Sequence, residues 1–94
     1  MFVQLGELKI PSHVLQQVIP ESGQVSFTCI FLPEEADLLS NLKAMHGKIC
    51  RLRWGDSKGN SRNDLVKVER LVIEDIQNSN AAAKRVHVIT KIIG

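Results

Sequence analysis

Apolar and polar residues alternate along several stretches of this chain, and a period of two residues predicts β-strands. The clearest alternation runs over residues 24–32, where one face is formed by Val25, Phe27, Cys29 and Phe31. Four further stretches have strand character, at residues 2–10, 48–54, 64–76 and 86–94. The phase changes at Gly6, which predicts a bulge or bend, and again around Glu69 and Arg70, which predicts a second bulge. About five strands are therefore expected.

Two stretches have the three- and four-residue spacing of a helix. The longer one, residues 33–46, begins with Pro33 and acidic residues that suit a helix N-terminus, and Gly47 is the expected stop. Its apolar stripe consists of Leu38, Leu39, Leu42 and Met45. A short helix is predicted at residues 12–19, ahead of Pro20. Its apolar positions are Leu15, Val18 and Ile19.

Strands and helices in this proportion predict an α+β fold with a mostly antiparallel sheet. The chain has 94 residues, a length that suits one small domain spanning residues 1–94. Its apolar fraction of 44% and charged fraction of 23% are those of ordinary globular chains, so disorder is not indicated.

The chain lacks the apolar runs that a membrane span or an export signal needs. Its longest apolar runs are three or four residues, whereas a spanning helix needs about twenty. The first residues, MFVQLGEL, lack the basic and apolar regions of a signal peptide, so we expect a cytoplasmic location. In that reducing compartment Cys29 and Cys50 are interpreted as small buried hydrophobes, and a disulfide between them is the less favoured alternative.

The sequence indicates no catalytic or metal site. It contains no P-loop, HExxH or GxGxxG motif. His13, His46 and His87 fall in three separate predicted elements, without the spacing of a metal site. Gly55 and Gly59 lie in a polar hairpin loop that leads into a strand, whereas a phosphate-binding loop leads into a helix. We therefore expect a protein that is not an enzyme, with no cofactor, metal or small-molecule substrate.

Positive charge is concentrated in the middle of the chain. Six of the twelve lysines and arginines lie within residues 43–62, where Asp56 is the one acidic residue. The strand at 48–54 and the loop after it supply the candidate binding residues Lys48, Arg51, Arg53, Trp54, Lys58 and Arg62. Such a patch suits the phosphates of a nucleic acid or an acidic protein, although many charge clusters are simply solvated.

Apolar residues opposite the predicted core indicate a second way of binding. These residues are Ile30, Leu32, Ile49, Ile89 and Ile93. Either the helix at 12–19 covers them, or they face a partner or a second copy of the chain. The last strand, VHVITKIIG, is apolar to its end and is a candidate for edge-to-edge pairing.

These features predict a small non-catalytic interaction or accessory protein that binds a protein partner or itself. An inhibitor-type protein of a mobile genetic element would fit this description. The alternative is a nucleic-acid-binding module that uses the basic strand and loop at residues 48–62. Exposed aromatic residues, on which single-strand binders stack bases, would favour this alternative, and Trp54 is the candidate for that role.

Overall fold

The computed structural model of the protein describes residues 1–78 and 81–94, in which the chain forms seven strands and one α-helix. The strands are β1 (Phe2–Leu5), β2 (Leu8–Ile10), β3 (Leu15–Glu21), β4 (Gln24–Phe31), β5 (Ile49–Gly55), β6 (Ser61–Asn78) and β7 (Ala81–Ile92). A 3₁₀ turn, Pro33–Glu35, leads into the helix α1, Ala36–Lys43. All strands lie in one antiparallel sheet, in the order β2-β1-β5-β6-β7-β4-β3. The predicted α+β class is confirmed, with seven strands instead of about five.

One face of the sheet, here called the inner face, forms the hydrophobic core. Side chains along a strand alternate between the two faces, so every second residue points inward. Leu39 and Leu42 of α1 are buried in the same core. The largest fully buried side chains are Trp54, Phe27, Phe31, Leu5, Leu42 and Leu52. Burial of each such side chain contributes about 1.5–3 kcal/mol.

The first predicted strand is two strands joined by a hairpin at Gly6. Gly6 has a φ of +63°, which a residue with a side chain adopts only with strain. The chain reverses there, so Val3 pairs with Ile10 and both point to the core. The phase change at Gly6 therefore marks an irregular backbone, as predicted. Its cause is a reversal of the chain and not a bulge within one strand.

The short helix predicted at residues 12–19 is wrong, because this segment contains the strand β3. Leu15 and Val18 are both buried, and the register of β3 against β4 shifts between Leu15 and Gln17. This irregularity places two inward side chains three residues apart, a spacing that imitates a helix. Pro20 pairs with Val25 within β3, which is possible because β3 is the last strand of the sheet. No helix from this segment covers the outer face.

The longer predicted helix is confirmed, although the α-helical part is shorter than residues 33–46. After Lys43 the backbone bonds tighten to three-residue steps, such as the N–H of Met45 donating to Leu42 O at 3.0 Å. Gly47 has a φ of +79° and ends the segment as expected. In the described ranges no helix has the length and hydrophobicity needed to cross a membrane.

The last strand does not lie at an edge. β7 is hydrogen-bonded to β6 on one side and to β4 on the other. The expectation that it pairs edge to edge with another molecule is therefore wrong. The bulge predicted near Glu69 is confirmed, since the register of β6 against β7 shifts between Val68 and Arg70.

Candidate interaction surface

The outer face of the sheet carries the predicted arginines of β5. Arg51 and Arg53 are both exposed, whereas Leu52 between them is buried in the core. Two residues of the same phase in a strand lie about 7 Å apart, so the two guanidinium groups occupy one surface. The sequence-based assignment of these arginines to the face opposite the core agrees with this placement.

This positive surface is extended by two lysines that are not among the predicted binding residues. Lys67 of β6 lies directly opposite Lys91 of β7, and Ile49 is opposite Lys67 on its other side. Like charges directly opposite each other on neighbouring strands destabilise the sheet. Glu21 lies in the same row, but Gln24 separates it from Lys91. Within the described residues, neither lysine forms an ion pair.

Apolar side chains lie between these cations. Ile49 is 61% exposed and Ile93 is 43% exposed. Leu65 lies opposite Arg51, and its carbonyl accepts the N–H of Ile93 at 2.9 Å. We call this surface the outer patch. It consists of Ile49, Arg51, Arg53, Leu65, Lys67, Lys91 and Ile93.

Trp54 is not part of this surface. Its side chain is 2% exposed, and its indole N–H donates to a carboxylate oxygen of Asp64 at 3.1 Å. The ring therefore packs in the core and is not available to stack on a base. Arg62 lies opposite Trp54 and forms an ion pair with Asp64 at 3.2 Å. The structure thus places Trp54 and Arg62 on the other side of β5 and β6 from Arg51 and Arg53.

Lys48 and Lys58 lie at the two ends of β5. Lys48 precedes the strand, and its carbonyl accepts the N–H of Val68 at 2.9 Å. Lys58 is in the hairpin loop, where one carboxylate oxygen of Asp56 accepts the backbone N–H groups of Lys58 and Asn60. The side chain of Asn60 also donates to Asp56, and these bonds lower the pKa of the Asp56 carboxyl. The predicted hairpin loop is confirmed, and Asp56 orders it.

Ser57 in this loop has the spacing of a hydrolase nucleophile, since residues 55–59 read GDSKG and match the pattern GxSxG. A nucleophile elbow requires a sharp turn from a strand into a helix. Here the segment joins β5 to β6 and therefore turns from strand to strand. Ser57 and His87 border one open cavity of about 830 Å³, but among the described residues no hydrogen bond joins them.

A row of polar side chains crosses the outer face on β4, β7 and β6. The hydroxyl of Thr28 is 3.0 Å from Nδ1 of His87, and Nε2 of His87 is 2.9 Å from Glu74. A hydroxyl, an imidazole and a carboxylate in series can activate a nucleophile. β4 at Thr28 and β7 at His87 each have a neighbouring strand on both sides, so the backbone N–H groups beside the hydroxyl and the imidazole are engaged in the sheet. With no free backbone donor beside the hydroxyl to bind an oxyanion, we interpret the row as cross-strand stabilisation.

The cysteines have no arrangement for redox or metal chemistry. Cys29 and Cys50 are both free, and burial raises the pKa of the Cys29 thiol to about 12. Burial also raises the pKa of Cys50. Thiols with raised pKa values are poor nucleophiles near neutral pH. Among residues 1–78 and 81–94, no cluster of histidine, cysteine and acidic side chains is arranged to hold a metal ion.

The outer patch combines exposed cations with exposed apolar side chains. Its arginines follow from the alternation within β5, whereas Lys67 and Lys91 are brought together only by the pairing of β6 with β7. Comparison of the chain with protein-family models, curated proteins and solved structures gives no significant match in any of the three.

Proposed function

We propose that this protein is a small non-catalytic interaction module whose outer patch binds an acidic surface of a partner protein. The observation that supports this most strongly is the opposed pair Lys67 and Lys91, with Arg51 and Arg53 further along β5 on the same face. Such a pair costs stability in the free protein. Carboxylates of a bound partner would compensate the charges of both lysines. The repulsion present in the free protein would then be relieved on binding, which favours the complex.

The apolar residues within the patch favour a protein over a nucleic acid. Protein interfaces combine an apolar centre with arginines and a polar rim. Ile49 and Ile93 would supply this centre, and both are exposed in the free protein. Single-strand binders add aromatic platforms to their cations, and Trp54 is buried.

A second copy of the chain is a poor partner for this surface. A two-fold dimer brings the same patch of both copies together. The cations of one copy would then face those of the other, and the repulsion would add to that between Lys67 and Lys91. The module would therefore bind a different protein. An accessory or inhibitor-type protein, of the kind that mobile genetic elements encode, acts in this way by covering a surface of its target.

Selection from a displayed random-peptide library tests this function. Peptides are selected on the native protein alone, and the binding of the enriched peptides to the variant Arg51→Glu, Arg53→Glu is then measured. We expect the enriched peptides to combine aspartate or glutamate with leucine, isoleucine or valine. The variant Lys48→Glu, Lys58→Glu carries the same charge change outside the patch and should retain the peptides. Peptides that bind both variants equally would contradict the assignment of the outer patch.

Nucleic-acid binding is the second candidate function, because the four cations of the patch are unpaired within the described residues. Four phosphate contacts predict that the logarithm of the affinity falls with the logarithm of the salt concentration, with a slope of about −2.8 for single strands and about −3.6 for B-DNA. Fluorescence anisotropy with single- and double-stranded DNA and RNA measures this slope. Salt-sensitive binding that Arg51→Glu, Arg53→Glu abolishes and Ile49→Ser leaves intact would favour a nucleic acid over a protein.

The non-catalytic part of the proposed function has its own test. Thr28, His87 and Glu74 are the side chains in the described chain whose hydrogen bonds place a hydroxyl, a base and a carboxylate in series. The assay follows hydrolysis of p-nitrophenyl acetate by the native protein and by His87→Ala. We expect both proteins to hydrolyse the ester at the same low rate. Hydrolysis that requires His87 would contradict a purely binding role.

A further inference from the structure

β6 has an edge that no strand of the described chain covers. β6 pairs with β5 only from Ser61 to Lys67. Beyond the bulge, the pairing of β6 is with β7 alone. We call residues Arg70–Asp75 of β6 the open edge. Unpaired strand edges of this kind accept strands from other chains.

Hydrogen-bond directions show which backbone groups point outward. Ile92 of β7 donates its N–H to Gly23 O on the β4 side. In an antiparallel ladder the bonding side alternates along a strand. The even-numbered residues of β7 therefore bond to β4, and its odd-numbered residues bond to β6. Their partners on the open edge are Arg70, Val72 and Glu74. Leu71 and Ile73 alternate with them and direct their N–H and C=O groups to the open side.

The open edge begins at Arg70 because the segment that follows α1 covers the two residues of β6 before it. The N–H of Gly47 donates to Val68 O at 2.8 Å. His46 Nε2 lies 3.3 Å from Glu69 O. A strand added beside β6 therefore has room from Arg70 onward, and Arg70–Asp75 spans about 20 Å at the usual rise of a strand.

A second copy of the chain does not suit this edge. A two-fold pairing centred on Val72 or Ile73 would drive the copy's β6 into the space that residues 47–48 occupy. A pairing centred on Glu74 or Asp75 avoids this overlap but places identical carboxylates opposite each other. Like charges directly opposite destabilise a strand pair. The geometry thus favours a segment of a different protein.

The surroundings of the open edge indicate the chemistry of that segment. Lys43 and His46 border a cavity of about 210 Å³ together with Leu71 and Ile73. Ile73 is 40% exposed. Lys43 forms no ion pair within the described residues. A strand with apolar side chains over Leu71 and Ile73 and a carboxylate beside Lys43 would complement this site.

We infer that the open edge binds an extended segment of a partner protein, about six residues long, by strand addition, with an acidic side chain beside Lys43 and His46. Main-chain hydrogen bonds to Leu71 and Ile73 supply affinity, and the carboxylate supplies specificity. This site is separate from the outer patch and does not depend on it.

Amide hydrogen exchange tests the site with an acetylated and amidated peptide of four Glu-Val repeats. In the free protein, the amides of Leu71 and Ile73 should exchange faster than those of Val72 and Glu74, which are bonded to β7. Saturating peptide should slow Leu71 and Ile73 by about tenfold or more, the change that accompanies about 1.4 kcal/mol of protection. A peptide methylated at every backbone nitrogen, so that neither side can donate, should give no such protection.

Charge variants separate this site from the outer patch. Lys43→Glu should weaken the peptide's protection of Leu71 and Ile73, whereas the matched variant Lys58→Glu should retain it. Arg51→Glu, Arg53→Glu should also retain it. The site would be overturned if the peptide leaves Leu71 and Ile73 unchanged, or if the methylated peptide protects them equally. Protection of these amides in the free protein, with a dimer in sedimentation equilibrium, would identify a second copy as the occupant and would also overturn it.

Discussion

At the level of single residues, three carboxylates accept hydrogen bonds that hold the fold together. Asp64 accepts the indole N–H of Trp54 and pairs with Arg62, and Asp56 orders the hairpin loop. Glu35 accepts the N–H of Leu32, and this bond, with a smaller contribution from His13, lowers the pKa of Glu35. The cations of the outer patch have no such partner within the described residues. The positive charge on the outer face of β5, β6 and β7 is therefore available to a partner.

Replacement of Asp64 tests how Trp54 is held. Asp64→Ala leaves the buried indole N–H without an acceptor, and we expect a loss of about 1–3 kcal/mol in the free energy of unfolding. Asp64→Asn keeps an acceptor and should lose less. Urea unfolding followed by the fluorescence of the single tryptophan measures both. Equal stability of Asp64→Ala and the exposed control Glu21→Ala would contradict this role of the hydrogen bond.

Asp56 should make the stability of the protein depend on pH. Hydrogen bonds lower its pKa in the folded state, first the bond from the Asn60 side chain. A lowered pKa contributes stability above the unfolded value of about 3.9, and this contribution is lost as the pH falls through the folded value. Unfolding of the native protein and of Asp56→Asn, measured from pH 7 to pH 2, should converge at low pH. A constant difference between them would show that the ionised carboxylate is not the source of the stability.

At the scale of elements, the sequence predicts a strand or helix well where the periodicity is regular. The alternation in β4 and the stripe of α1 are regular, and both elements are confirmed. The prediction fails in β3, where the irregularity between Leu15 and Gln17 gives a strand the spacing of a helix. The sequence pattern does not divide the first strand, because a turn at Gly6 changes the phase just as a bulge does. Local patterns do not distinguish these causes, since tertiary pairing determines them.

The end of α1 provides a prediction about backbone conformation. Gly47 has a φ of +79°, and a side chain there would meet no atom within 4 Å. Gly47→Ala should therefore cost about 1–2 kcal/mol through backbone strain alone. Gly47→Asn should cost less, because asparagine tolerates this conformation better. Thermal unfolding compares the two variants, and a loss in Gly47→Asn as large as in Gly47→Ala would argue against strain as the cause.

At the scale of the whole molecule, the order of the strands decides which surfaces are available. The sequence places Arg51 and Arg53 on one face, but it does not show that β7 lies between β6 and β4. That order buries both edges of the last strand and brings Lys91 opposite Lys67, 24 positions away in the chain. Pairings between distant segments leave no mark in local periodicity. The outer patch and the open edge therefore cannot be predicted from the sequence pattern and require knowledge of the strand pairing.

The variant Lys67→Glu tests whether the outer patch keeps uncompensated positive charge for binding. This change converts the opposed lysines into an opposite-charge pair with Lys91. We expect the free energy of unfolding in urea to rise by about 0.2–1 kcal/mol at low salt, and less at high salt. The same variant should lose the acidic peptides selected on the native protein, whereas Lys58→Glu should retain them. A variant that is no more stable than the native protein and still binds the peptides would contradict the account.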